Sequence, residues 1–131
     1  MRIVFDTNVI ISAFITHGVS AEVFEHCLVQ HKIVISPFIL NEVEEKLRDK
    51  FQFPKNKIDD LIRFLHSESE VVAPAQLPSP VCRDVDDDMV LATALAASAD
   101  GILTGDSDLL DLKRYERIAI LKAADFWKFE R

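Results

Sequence analysis

Short β-branched runs alternate with longer helical segments along this chain, and that alternation restricts the folds open to it. The pattern predicts strands at residues 2–6, 33–35, 71–72, 102–104 and 118–121. Because helical segments of ten or more residues separate most of these runs, the strands are expected to pair in parallel rather than as hairpins. We therefore predict a three-layer α/β domain in which helices flank a central, mostly parallel sheet.

Helical periodicity fills most of the intervals between the strands. An apolar stretch at 9–15 predicts a buried helix, and a stripe that runs from Phe24 to His31 predicts a second. Ser36 and Pro37 supply an N-cap and a first-turn proline for a third helix. A fourth helix is expected after Pro54, because its apolar residues again recur at helical spacing. An almost uniformly apolar helix is predicted over 86–99, and a terminal helix over 124–129.

Length and composition set the class of protein. At 131 residues, with 49% hydrophobic and 28% charged residues, the chain is expected to form one globular domain over 1–131. The net charge of −7 argues against a protein that holds nucleic acid by bulk positive charge. We see no leader sequence and no apolar run long enough to span a membrane, so we expect a cytoplasmic protein. Cys27 and Cys82 are predicted to be buried free thiols.

Acidic residues recur where predicted strands end. They are Asp6, Glu42, Asp84, Asp86, Asp87, Asp88, Asp106 and Asp108. In parallel α/β sheets, ligands gather at the carboxyl ends of the strands, so these acids are expected at one edge. Each has a purely structural explanation: helix caps, a turn at 106–108, or an ion pair between Glu42 and Lys46.

Capping explains one or two acids between 84 and 88, but it explains four poorly. Carboxylates that converge repel one another unless cations hold them, and hard divalent ions such as Mg²⁺ or Mn²⁺ prefer oxygen ligands. A zinc site is not expected, because the histidines have no metal-site spacing, and His31 is predicted to pack on an apolar helix face. The histidines are His17, His26, His31 and His66.

The order of several motifs resembles that of the PIN-domain family, the fold of Mg²⁺-dependent ribonucleases that includes the VapC-type toxins of bacterial toxin–antitoxin pairs. The motifs are Val4-Phe5-Asp6-Thr7-Asn8-Val9, Ser36-Pro37 leading to Glu42, Cys82-Arg83-Asp84-Val85-Asp86-Asp87-Asp88, and Leu103-Thr104-Gly105-Asp106-Ser107-Asp108. The chain is most similar to a subgroup with an Arg-Asp-Pro-Asp-Asp pattern. Val85 stands where that subgroup has proline.

The resemblance implies a site and an activity. By similarity, the catalytic and metal-binding acids are Asp6, Glu42, Asp87 and Asp106, with Asp108 auxiliary and Asp84 a further ligand. Asp84 and Asp88 compete with Asp87 for its place. Thr7, Asn8, Ser36 and Thr104 are similar to the polar residues that orient the carboxylates. The implied reaction is RNA hydrolysis with one or two Mg²⁺ or Mn²⁺ ions, leaving a 5′-phosphate and a 3′-hydroxyl. Implied partners are an antitoxin and a second copy, as a homodimer or higher oligomer.

Basic residues follow the third predicted helix, where RNA could be held beside an acidic pocket. They are Lys46, Arg48, Lys50, Lys55 and Lys57, with Phe51 and Phe53 between them. Such residues contact phosphates and stack on bases, although cations also stabilise helix ends and aromatic residues also fill cores. A smaller group around Tyr115 contains Lys113, Arg114 and Arg117.

Two other functions remain open from the residues. A receiver-like phosphoacceptor domain is also an α/β fold with an acidic Mg²⁺ pocket, and Thr104 and Lys122 would suit it. However, the first strand ends in a single acid, Asp6, and no acid follows 71–72 to accept a phosphoryl group. The other alternative is a non-catalytic PIN-like module that binds nucleic acid or a partner.

Overall fold

The computed structural model describes residues 1–130, which contain one six-stranded sheet. The strands are β1 (Arg2–Phe5), β2 (Lys32–Ile35), β3 (Glu70–Val71), β4 (Gly101–Leu103), β5 (Arg114–Tyr115) and β6 (Ile118–Leu121). Their order across the sheet is β3-β2-β1-β4-β6-β5. All neighbours pair in parallel except β5 and β6, which form an antiparallel hairpin. The predicted mostly parallel α/β architecture is confirmed.

Helices occupy most of the connections between strands. They are α1 (Thr7–Ile15), α2 (Val19–Gln30), α3 (Pro37–Asp49), α4 (Lys55–Glu68), α5 (Val85–Ala96), α6 (Ser107–Leu112) and α7 (Phe126–Phe129). A 3-10 turn, Ala123–Asp125, precedes α7. The chain winds outward from β1 to β3 through α1–α4, then returns through α5 to β4 on the other side of β1. Right-handed crossovers therefore place α1–α4 and α5 on opposite faces.

The core lies where these layers meet the sheet. Ile3, Val4 and Phe5 of β1 are fully buried, as expected for a central strand covered on both faces. α1 packs against α2 and α3, while α5 packs against β1 and β2. This packing fixes the carboxyl ends of β1 and β4 beside each other. Because the chain reverses its winding direction between these two strands, a crevice opens there, and ligands bind at such positions in α/β sheets.

Two short elements differ from the sequence prediction. The structural alternative for residues 106–108 was a turn, but Asp106 caps α6 and Ser107 begins it, and this helix is too short to show periodicity. Strand β5 was also not predicted, because it has only two residues and joins β6 through a tight turn at Glu116, whose φ is 54°. Both elements pack against β6. This contact is made in the tertiary structure, and the local sequence pattern does not show it.

Helix α5 ends earlier than predicted, at Ala96 rather than near residue 99. Ser98 has φ of 50°, in the left-handed region. Its N–H donates to the carbonyl of Leu95 at 3.1 Å, and the N–H of Ala99 donates to the carbonyl of Ala94 at 2.9 Å. This pair of bonds is the Schellman ending, which stops the helix although no glycine is present.

Other expectations are met in part. Both cysteines are free, and Cys27 is buried as predicted, but Cys82 is only half-buried. His31 ends α2 and packs its ring against Phe126, so its predicted packing role holds, although it is also hydrogen-bonded. Among residues 1–130, no single helix is long and apolar enough to cross a membrane. Helices α1 and α2 taken together have the length and apolar composition of a membrane span, but the pair is bent by 101° at the break between them.

Candidate active site

A polar cavity of about 200 Å³ opens at the carboxyl ends of β1 and β4. Its lining consists of Asp6, Asn8, Glu42, Lys46, Asp84, Asp86, Asp87, Val90 and Asp106. The structure therefore brings together the four acids that the resemblance selected, from four separate segments of the chain. Six of the nine lining residues are acidic and one is a cation.

Asp6 follows β1 directly and caps α1. Its Oδ1 accepts a hydrogen bond from the backbone N–H of Thr7 at 2.7 Å, and its Oδ2 accepts one from the hydroxyl of Thr104, also at 2.7 Å. The capping explanation for Asp6 is thus correct, yet the same carboxylate lines the cavity. Burial raises its pKa, although both hydrogen bonds oppose that rise.

Thr104 connects Asp6 to the acid that follows β4. Its side-chain oxygen accepts from the backbone N–H of Asp106 at 3.0 Å while its hydroxyl donates to Asp6. Asp106 caps α6, because its Oδ1 accepts from the N–H groups of Asp108 and Leu109 at 2.8 and 3.1 Å. One buried hydroxyl therefore sets the relative position of two cavity acids.

Glu42 enters the cavity from α3. The hydroxyl of Thr7 donates to its Oε1 at 2.7 Å, which ties α3 to the first residue of α1. Burial raises the pKa of Glu42, and the nearby charges of Asp86 and Asp6 act in the same direction. Lys46, one turn further along α3, lowers that pKa, but it directs its Nζ to Oδ1 of Asn8 at 3.1 Å.

The first turn of α5 shows which of its acids face the cavity. Asp84 caps the helix by accepting from the N–H of Asp86 at 2.9 Å, and both residues line the cavity rim as exposed side chains. Asp88 turns away and accepts from the N–H groups of Val81 and Cys82 at 3.2 and 2.8 Å. Asp88 therefore holds the preceding loop and does not line the cavity.

Asp87 is the most perturbed acid of the cavity. It is 9% exposed, and burial together with the charges of Asp106, Asp84 and Asp6 raises its pKa to about 6. Its carboxylate can approach those of Asp106 and Asp108 so that one oxygen from each lies within 4.8 Å of the others. Asp108 itself is held by Arg83, whose Nη2 donates to both carboxylate oxygens at 2.7 and 2.9 Å.

Two of the four predicted orienting residues do not contact a carboxylate. Thr7 and Thr104 do so as described, but Asn8 accepts a hydrogen bond from Lys46. Ser36 caps α3, where its Oγ accepts from the N–H of Ile39 at 3.4 Å and from the hydroxyl of Thr93 at 2.8 Å. Ser36 therefore starts α3 and joins it to α5 without contacting a carboxylate.

The basic stretch is divided by the fold. Lys46 alone of its five cations lines the cavity. Arg48 pairs with Asp49 at 2.9 Å and Lys55 pairs with Asp59 at 2.8 Å, so acids already occupy both. Lys50 lies 5.7 Å from the ring of Phe51, whereas Phe53 packs against the core. The cations of this stretch therefore have different surroundings, and their contact with RNA stays a prediction.

Some contributors to the site escaped sequence reasoning. Arg83 stands within a motif that gives it no role of its own, and 25 residues separate it from Asp108, which it contacts. Thr93 shows no signal of its own within an apolar helix. Lys122, which a receiver-like site would need, is exposed and does not line the cavity.

The donor set suits a hard divalent cation. The acids supply only oxygen atoms, and the pKa values of Asp6, Glu42 and Asp87 are raised, so the cluster resists full ionisation. A cation among these carboxylates would relieve both the repulsion and the cost of burial. Oxygen-only ligation favours Mg²⁺ or Mn²⁺ over metals that select imidazole or thiolate.

Comparison with known proteins identifies the class. The sequence profile of the PIN domain matches residues 2–108, and the chain belongs to the PIN domain family. No curated protein matches it in sequence.

Two solved structures share the fold. One is the crystal structure of VapBC2 from Rickettsia felis bound to a DNA fragment from their promoter, with a TM-score of 0.64 and 16% identity, covering 92% of this chain and 97% of that chain. The other is the structure of VapBC-1 from nontypeable Haemophilus influenzae, with a TM-score of 0.66 and 16% identity, covering 95% and 99%. At this identity the likeness establishes the fold.

Proposed function

We propose that this protein is a Mg²⁺- or Mn²⁺-dependent endoribonuclease and the toxin component of a toxin–antitoxin pair. The observation that carries the proposal is the convergence of Asp6, Glu42, Asp87 and Asp106 on one cavity at the reversal point of a PIN-domain sheet. The similar VapBC structures support the toxin–antitoxin context. The metal ligands would be these four acids, with Asp84 and Asp108 at the periphery.

A divalent ion held there would activate water for attack on phosphorus and stabilise the charge that develops on the scissile phosphate. The protein groups have separate tasks. Thr104 and the α6 N–H groups fix Asp106, and Thr7 fixes Glu42, so the carboxylates are positioned before substrate arrives. No serine, cysteine or histidine lines the cavity, which agrees with hydrolysis by water without a covalent intermediate.

Lys46 is the proposed contact for an RNA phosphate. It is the one cation among the residues that line the cavity, and its Nζ is held at the rim by an exposed hydrogen bond to Asn8. A neighbouring cation compensates the acids, which would otherwise repel a polyanion. The stretch beyond it contributes less, because Arg48 and Lys55 already pair with acids.

The activity is tested by incubating purified protein with RNA in Mg²⁺ or Mn²⁺. We expect cleavage that EDTA abolishes, and products with 5′-phosphate and 3′-hydroxyl ends. Asp106→Asn should reduce the rate by about 100-fold or more, because it removes a ligand charge. Asp111→Asn is the matched control, since Asp111 lies exposed on the same helix and does not line the cavity. Equal activity in wild type and a folded Asp106→Asn variant would sink the proposed site.

Two further assays separate the alternatives. RNA binding without cleavage at any metal concentration would favour a non-catalytic module, and incorporation of phosphate from a small phosphodonor would favour a receiver. For the toxin role, controlled expression should arrest growth, Asp106→Asn should be harmless, and an adjacent gene product should relieve the arrest. Harmless expression of active nuclease would count against that role.

A further inference from the structure

Two histidines and a glutamate converge near the amino end of β2, whereas the acidic cavity lies at the carboxyl ends of the strands. His26 lies on α2 and His31 ends that helix just before β2, while Glu130 ends α7. The Nε2 atoms of both histidines contact the same oxygen, Oε2 of Glu130, with His31 at 2.6 Å. One ligand atom from each of the three residues lies within 4.8 Å of the others. The spacing of the histidines in the sequence does not show that these two side chains meet a carboxylate, because Glu130 lies 99 residues from His31.

The surroundings hold both imidazole rings in place. The Nδ1 of His31 is hydrogen-bonded to the amino group of Met1 at 3.0 Å, which directs its Nε2 toward Glu130. The ring of Phe126 packs edge-on against both histidines, at 5.6 Å from His31 and 6.2 Å from His26. These contacts fix the orientation of both rings, and a hydrogen bond on the outer nitrogen has the same orienting effect on histidines that ligate metals.

We infer that His26, His31 and Glu130 form a site for a divalent transition metal of the Zn²⁺ type, with water as a fourth ligand. Two imidazoles and one carboxylate are a known tetrahedral zinc set, and this nitrogen content distinguishes the site from the oxygen-only cavity. The side chains of His26 and Glu130 are 30% and 23% exposed, so solvent reaches the site. To bind an ion with metal–ligand bonds of about 2.0–2.2 Å, the three ligand atoms would need to move apart only slightly.

Metal binding would displace protons that now occupy this space. In the metal-free protein, N–H groups on Nε2 donate to Glu130; when the metal binds, these protons leave to solvent and each Nε2 lone pair bonds to the ion. A proton then passes from the ammonium group of Met1 to Nδ1 of His31, so that Met1 becomes an amine and accepts the hydrogen bond that Nδ1–H donates. The ion would join α2 to the end of α7. It would therefore stabilise a contact between distant segments, since 99 residues separate His31 from Glu130.

Trp127 provides a built-in reporter for this site. It is the only tryptophan of the chain, and its ring lies 5.0 Å from that of His26. The experiment titrates full-length protein with Co²⁺ in excess Mg²⁺, which saturates oxygen-only sites, and follows tryptophan fluorescence and visible absorption. Tetrahedral Co²⁺ absorbs strongly in the visible range, so the absorption identifies the geometry independently of the fluorescence.

We expect quenching and a tetrahedral band that saturate at one equivalent and are reversed by Zn²⁺. His26→Ala and Glu130→Gln should each weaken Co²⁺ binding by at least about tenfold. His66→Ala, an exposed histidine on α4, and Asp106→Asn, in the acidic cavity, should not change it. Equilibrium dialysis measures the same affinities without relying on Trp127, and circular dichroism checks that each variant is folded.

Several outcomes would overturn the inference: no tetrahedral band in the wild type, binding unchanged in both folded ligand variants, or binding lost in Asp106→Asn. Because the acidic cavity is untouched by the ligand variants, RNA cleavage should persist in His26→Ala and Glu130→Gln. The zinc-type site and the proposed nuclease site can therefore fail separately.

Discussion

At the residue scale, one hydroxyl group determines how two cavity acids face each other. Thr104 is 1% exposed, donates to Asp6 and accepts from the N–H of Asp106. Sequence motifs place a threonine there, but they do not show that it touches both acids. The bridge exists because β1 and β4 are paired in register, with Phe5 beside Leu103.

Thr104→Val should remove that bridge while keeping the shape of the side chain. Asp6 would lose a donor and the Asp106 N–H would lose an acceptor, so we expect the free energy of unfolding to fall by about 1–3 kcal/mol. Urea denaturation measures this change. Thr104→Ser retains the hydroxyl and should lose less stability than Thr104→Val; equal losses in the two variants would show that the hydrogen bonds contribute little.

Asp87 combines a proposed function with a cost to folding. Because its pKa rises from 3.8 to about 6 in the folded state, the native protein binds a proton more tightly than the unfolded chain. The stabilisation that results is fully present below the unfolded pKa and is lost as the pH rises through about 6. In the metal-free protein, the ionised carboxylate is therefore unfavourable at neutral pH.

Asp87→Asn should consequently raise the melting temperature in EDTA at pH 7.5 relative to wild type, and the gain should shrink toward pH 4. The same variant should lose RNA cleavage by about 100-fold or more. Thermal unfolding across this pH range, with Asp111→Asn as control, measures the first effect. A gain that is independent of pH would show that repulsion at Asp87 is not its cause.

At the element scale, α3 and α5 pack through a buried polar contact rather than through apolar groups alone. Ser36 is fully buried and caps α3, and its Oγ also accepts from the hydroxyl of Thr93 on α5. The two helices lie on opposite faces of the sheet, so this bond joins the layers near the cavity. The Ser-Pro signal predicted the helix start correctly, but it carried no information about Thr93.

Ser36→Ala should destabilise the fold by about 0.5–2 kcal/mol through loss of the cap. The effect of losing the Thr93 contact is smaller, because that hydroxyl can then donate its single proton to the carbonyl of Met89. Chemical denaturation tests this expectation, with Ser67→Ala as the control because Ser67 is an exposed serine on α4. A Ser36→Ala variant as stable as that control would contradict the assigned role of the cap.

At the scale of the whole molecule, the net charge of −7 is concentrated in part at one edge of the sheet. Ligands that bind only the folded state stabilise it, by about 2.7 kcal/mol at a concentration one hundred times Kd. We therefore expect Mg²⁺ to raise the melting temperature of the entire protein, and EDTA to reverse the rise.

Differential scanning fluorimetry with increasing MgCl₂ measures this stabilisation, against NaCl at matched ionic strength. The rise should be strongly reduced in the double variant Asp6→Asn and Asp106→Asn, because both carboxylates line the cavity. An equal rise with NaCl, or an undiminished rise in the double variant, would assign the effect to general charge screening.

Local pattern was sufficient to predict the main strands, the long helices and the caps at Asp6 and Ser36. These features depend on hydrophobic periodicity and on hydrogen bonds between residues close in sequence, so the amino-acid order reports them directly. The motif order also led to the four acids that the fold brings together. The sequence therefore determined the architecture, and the family resemblance selected four of the nine residues that line the cavity.

Only the tertiary structure decided which acids face inward and which partners they have. The rotation of α5 relative to the sheet turns Asp87 into the cavity and Asp88 toward the loop at Val81. The convergence of His26 and His31 on Glu130 likewise depends on where the last helix docks. Such contacts join distant segments, and their geometry follows from how whole elements pack, because no local periodicity encodes it.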